Sequence, residues 1–235
     1  MPGSILNKIC SLAAVVSEID FKQPDNSFST ALKIEMSLLL NRNIFGNPAN
    51  KGRVISKNEA LQLLNKWVVS DRLKLHMLQV AYIMQRWAAE KELLDGEAQW
   101  RWEMAGLLHD ADWEKWPDEH CNKIIMELEE RKIDPDILHA IASHGPNYFG
   151  VEPVTQMDKM LYAFDELSGL IHAYSLMRPE GYTGMELKGV KKRLKEKSFA
   201  ANVSREDIQD ACLKAGLDMD ELIGFIILHQ SNLKI

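Results

Sequence analysis

From Ser56 onward, apolar residues recur every three or four positions, the period of a helix that buries one face. Ser56 stands three residues before Glu59, the spacing of a capping box, ahead of a helix reaching about Val69. Asp71 is placed to cap a longer helix whose Leu73, Met77, Val80, Met84 and Trp87 share a face. A third helix runs from about Glu97 to His109. Pro117 opens a fourth in its first turn, Pro135 opens a fifth ending near Gly145, and a sixth spans about 155–177. Shorter helices follow near 186–196, 205–215 and 218–230, with Ser204 and Asp218 as caps of the last two. No alternating run is flanked by hairpin turns, so the expected fold class is all-α.

The first 52 residues read differently. Two amphipathic patterns, near 4–19 and 29–41, are followed by a Gly/Pro/Asn-rich connector, NIFGNPANKG, at Asn43–Gly52. This divides the chain into an N-terminal helical extension, 1–52, and a main domain, 53–235. The apolar run Ile9–Val16 after Lys8 faintly resembles a signal peptide. Glu18 and Asp20, however, occupy the place where a small-residue cleavage site is expected.

Composition narrows the function. A net charge of −6 disfavours a partner bound through phosphate neutralisation, which sets nucleic acid aside. No stretch approaches the roughly 18 apolar residues of a membrane span. The three cysteines, Cys10, Cys121 and Cys212, are widely spaced with no CxxC pair, which fits a reduced, cytoplasmic protein.

Chemistry concentrates in histidine and aspartate. His109 and Asp110 are adjacent at a helix end, where both can turn towards one ion. His76 lies beside the apolar stripe of its helix. Asp165 sits mid-helix on a face with Leu161, Gly169 and His172. A buried carboxylate needs a cation, a partner or a proton. Taken singly, each residue has a plain reading, a satisfied core histidine or an aspartate in a helix salt bridge; together they form a candidate metal site. Imidazole with carboxylate suits Fe, Mn, Ni, Co or Zn, and the absence of a thiolate set argues against a zinc finger.

The order His76, His109-Asp110, Asp165 on successive helices resembles the HD superfamily of metal-dependent phosphohydrolases. The match is carried by LKLHMLQV, MAGLLHDADWEKWPDEH, AIASHG, KMLYAFDELSGLIHAYSLMRP and ELKGVKKRLKEKSFAANVSREDI, in that order over about residues 55–230. These words are similar to a bacterial HDIG-type branch; residues 1–52 match nothing in it. The resemblance implies an HD-domain helical bundle and a first divalent metal (Fe, Mn, Ni, Co, Mg or Zn) on His76, His109, Asp110 and Asp165. Dinuclear members add two histidines and bridge the ions through the HD aspartate, so His120 and His144 fill the slots of a second ion. His139 lies about 140° round its helix from His144 and is the weaker candidate.

Mononuclear HD nucleotidases place a proton-handling Glu three residues after the HD aspartate. Here that position is Trp113, which leaves Asp112, ahead of Glu114, as the expected general base beside Asp110. Lys188, Lys191, Lys192 and Lys195 share one helix face and, with Arg178, are candidate phosphate contacts; a solvated lysine-rich helix explains the lysines equally well. Trp100, Trp102, Trp113 and Trp116 cluster around the HD segment, either as pocket wall or as core. The expected function is metal-dependent hydrolysis of a small phosphorylated compound such as a nucleotide. The alternatives are a dinuclear-iron HD-type oxygenase and a non-catalytic HD binding or regulatory domain.

Overall fold

The computed structural model describes residues 52–233, so the expected helices near 4–19 and 29–41 lie outside the described residues. The described chain is helical: α1 (Lys57–Trp67), α2 (Asp71–Glu90), α3 (Gly96–Leu108), a 3-10 turn (Pro117–Glu119), α4 (Asn122–Glu130), α5 (Pro135–Ala142), α6 (Pro146–Phe149), α7 (Gln156–Leu176), α8 (Leu187–Lys195), α9 (Arg205–Ala215) and α10 (Met219–Asn232). Among the described residues the only β-type pairing is an isolated bridge, Arg53 with Ile133. That bridge pins the start of the domain to the turn between α4 and α5, through Arg53 N–H to Lys132 O at 3.0 Å and Asp134 N–H to Arg53 O at 2.9 Å.

Local chemistry explains most boundaries. Ser56 caps α1 by accepting the Glu59 N–H, but the reciprocal arm of a capping box is missing. The Glu59 carboxylate turns instead to Arg53 and Arg131. The cap of α2 is Ser70, which accepts the Leu73 N–H at 3.3 Å, and not Asp71. Asp71 lies in the first turn, where its charge complements the helix dipole. Thr155 and Asp158 form a full capping box on α7.

Two expected helices are shorter than their patterns. Pro117 opens only a 3-10 turn, and α4 starts at Asn122 because Cys121 adopts a left-handed φ of 65° that breaks the helical path. The helix opened by Pro135 ends at Ala142. Ser143 is its cap, and Pro146 starts the next short helix.

Helix α7 is the central post, packed against α2, α5, α8, α9 and α10. Trp87 of α2 meets Phe164 of α7 and Phe225 of α10 edge-on, with centroids 5.5 and 4.9 Å apart. Helices α2 and α3 pack backbone to backbone at Gly106, where a Cβ would lie 2.8 Å from Ala81 Cα. This close crossing sets α3's C-terminus against α2 and beside α7.

Candidate metal centre

Four imidazoles and two carboxylates converge where these helices meet. Helix α2 supplies His76, the end of α3 supplies His109 and Asp110, and α7 supplies Asp165. The 3-10 turn delivers His120, and the turn after α5 delivers His144. The first four residues place one potential ligand atom each within 4.8 Å of one another.

Backbone and carboxylate partners aim the rings. His109 is fully buried, and its Nδ1–H donates to Gly106 O at 2.8 Å. Its Nε2 faces inward, 3.3 Å from Asp165 Oδ1 and 3.5 Å from Asp110 Oδ2, without a well-directed hydrogen bond. His144 Nδ1–H donates to Ile141 O at 2.6 Å, and its Nε2 lies 3.7 Å from Asp110 Oδ1. His120 Nδ1–H donates to Asp112 Oδ1 at 2.7 Å, and its Nε2 lies 3.2 Å from Asp110 Oδ1. His76 Nε2 is 2.9 Å from Asp165 Oδ1 and 3.9 Å from Asp110 Oδ2. Every Nε2 therefore points at one of two carboxylates, and His109, His120 and His144 are held by a partner on Nδ1 as metal-ligating histidines are.

Asp110 divides the cluster. One oxygen, Oδ2, faces His76 and His109, and the other, Oδ1, faces His120 and His144. Electrostatics follow the same division. Burial opposes charge on Asp110, but His109 and His120 outweigh it, holding the carboxyl far below its ordinary range. Asp165 is likewise held well below by His109 and His76 against its burial. Burial opposes protonation of His109, yet Asp110 and Asp165 raise it to about 9. His144 is pushed down to about 4 by burial and then by His109. Two half-buried carboxylates ringed by nitrogen donors, one of them a fully buried Nε2 lacking a directed partner, fit a divalent cation.

The other expected residues have partners of their own. Asp112 stands behind the His120 ring. It is fully buried, Oδ1 holds His120, and Oδ2 accepts the Ile124 N–H at 2.9 Å. Glu114 holds the segment ahead of α2, accepting the Val69 and Ser70 N–H groups at 2.9 and 3.0 Å. His120 is a buried member of the cluster. His139 turns away and pairs with Asp158 at 2.8 Å.

The phosphate candidates do not reach the centre. Arg178 lies just past the end of α7, and Leu176 at that end is 11 positions beyond Asp165, about 16 Å at helical rise; Arg178 donates to Thr183 O and lies over the Tyr174 ring. Lys191 pairs with Asp220, and Lys188 and Lys192 line the same surface groove near Tyr174. Of the tryptophans, Trp102 is core and Trp116 packs on Trp67, while Trp113 lies edge-on to His120 at 4.9 Å.

Four residues around the centre go unmarked in the sequence pattern. Arg72 precedes His76 by one turn and is exposed, and its charge, after burial and His76, lowers His172. The i, i+4 spacing was the available signal. Glu166 is pushed up to about 8 by burial and then by Asp165; nothing in the pattern marks it, since adjacent helical residues diverge by about 100°. Cys121 is buried beside His120 and His144, and Phe149 packs on both rings.

Fold and site thus define a class, an all-α protein with a buried His/Asp cluster suited to a divalent cation. Residues 75–170 match the family model of the HD domain, so this segment is similar to a fold that binds divalent metals and generally serves metal-dependent hydrolases. Comparison with curated proteins gave no match, and comparison with solved structures gave none. No helix among the described residues is long and apolar enough to cross a membrane.

Proposed function

We propose that the protein is a metal-dependent phosphohydrolase acting on a small phosphorylated compound, and that its centre takes two divalent ions. The observation that carries this reading is the division of Asp110, with one oxygen towards His76 and His109 and the other towards His120 and His144. Divalent ions held there would acidify a water and polarise a phosphoryl oxygen.

The chain's own part is positioning. His76, His109, Asp110 and Asp165 form one half-site, and Asp110, His120 and His144 the other. Asp112 fixes the His120 ring, and the Gly106 and Ile141 carbonyls fix those of His109 and His144. Arg72, exposed one turn before His76, can meet an anionic substrate. Lys188, Lys191, Lys192 and Arg178 act at a distance, through the field of a basic surface. The free thiols of Cys121 and Cys212 suit a reduced, cytoplasmic setting.

The test is a phosphatase screen of the metal-stripped protein reloaded with Mn, Fe, Co, Ni, Zn or Mg, over nucleotides and small phosphoesters. The reading expects metal-dependent phosphate release that is abolished in Asp110→Ala. Release that persists in Asp110→Ala, or none with any ion, contradicts it.

A further inference from the structure

We infer that Cys121 is a thiolate ligand of the ion held by His120 and His144, which makes this half of the centre a soft site. The inference rests on the metal-centre reading above and adds a ligand to it. Cys121, His120 and His144 are all buried and place one potential ligand atom each within 4.8 Å of one another. The Cys121 sulfur lies 3.9 Å from His120 Nε2, the nitrogen facing Asp110, and 3.7 Å from His144 Nδ1, on the ring whose Nε2 faces Asp110. Ligation asks the sulfur to turn from the Nδ1 edge of His144 towards the two Nε2 atoms and to close on them, because cis ligands at 2.0–2.3 Å from one ion sit roughly 3–3.5 Å apart.

The surroundings lack a competing role for the sulfur. Its one directed partner is the Ile141 carbonyl at 3.5 Å, which already accepts the shorter bond from His144. Backbone geometry adds to the case: Cys121 holds φ at 65°, which a side-chain-bearing residue rarely adopts, and that turn brings the sulfur to the ring nitrogens. Ligation exchanges the S–H bond for a sulfur–metal bond, with the proton leaving to solvent.

The consequence is a pair of unlike half-sites. His76, His109, Asp110 and Asp165 offer nitrogen and oxygen donors only. His120, His144, Cys121 and the shared Asp110 add sulfur and so favour Zn, Co or Fe over Mn and Mg.

Cobalt(II) titration of the full-length, metal-stripped protein tests this, carried out anaerobically with a phosphine in place of a thiol reductant. Visible d–d bands report binding to any half-site, and a near-ultraviolet sulfur-to-cobalt band reports thiolate ligation. The inference expects both, with the near-ultraviolet band lost in Cys121→Ser and in Cys121→Ala but kept in Cys212→Ser and Cys10→Ser. Visible bands without a Cys121-dependent near-ultraviolet band, at any stoichiometry, overturn the inference and leave the metal centre standing. No cobalt bands at all overturn both. Because the wild-type spectrum alone can give either negative result, a variant that folds poorly does not rescue the inference.

Discussion

Asp112 shows how one residue's role changes between pattern and packing. Its place two positions after Asp110 made it the nearest candidate base, yet each of its oxygens is occupied, by His120 Nδ1–H and by the Ile124 N–H. No sequence rule encodes this, because the 3-10 turn and the left-handed Cys121 fold His120 back over it. Asp112→Asn keeps the shape but replaces one acceptor with a donor. It is expected to weaken binding at the His120 side by about 10–100-fold, as loss of a carboxylate behind a ligating histidine does. Isothermal titration with zinc checks this; unchanged affinity with a lowered turnover would restore Asp112 as a base.

Asp158 is a second residue whose worth is structural. It is fully buried, receives His139 and the Val154 and Thr155 N–H groups, and is held below its ordinary 3.8 by these partners against its burial. A carboxyl depressed in the folded state contributes stability that is present above its unfolded value and lost as pH falls through the folded one. Asp158→Asn is therefore expected to cost about 1–3 kcal/mol at pH 7. The gap from wild type should narrow below about pH 4, as read from urea unfolding at both pH values. A gap independent of pH would contradict this account.

At the scale of elements, periodicity located the helices well because each buries one continuous face, as Met77, Val80, Met84 and Trp87 do on α2. It failed where a break depends on a single backbone angle. Nothing in CNKII marks Cys121 as left-handed, so α4 read as starting at Pro117. The His/Asp set was legible for a different reason: its residues recur in the order of a known family, while Cys121 and Glu166 become neighbours only through packing. The α2–α3 crossing gives an element-scale prediction. In Gly106→Ala the new methyl meets the Ala81 backbone at 2.8 Å, and the helices that carry His76 and His109 must part. The expected loss is about 1–3 kcal/mol of stability, with weaker metal binding alongside. A variant as stable as wild type in urea would show that this contact is not tight in solution.

For the whole molecule, the metal centre is also a fold element, since it ties α2, α3, α5 and α7 together around two half-buried carboxylates. A ligand that binds only the folded state stabilises it by about 2.7 kcal/mol at one hundred times its dissociation constant. Zinc or cobalt should accordingly raise the melting temperature of the metal-stripped protein, and Asp110→Ala should abolish the rise. The central claim, that Asp110 joins two half-sites, is tested most directly by metal content per chain after reloading and desalting. The account predicts about two ions for wild type, about one for His144→Ala with the fold intact, and a severe loss for Asp110→Ala. One ion in both wild type and His144→Ala, with equal activity, would contradict it and leave His120 and His144 as bystanders.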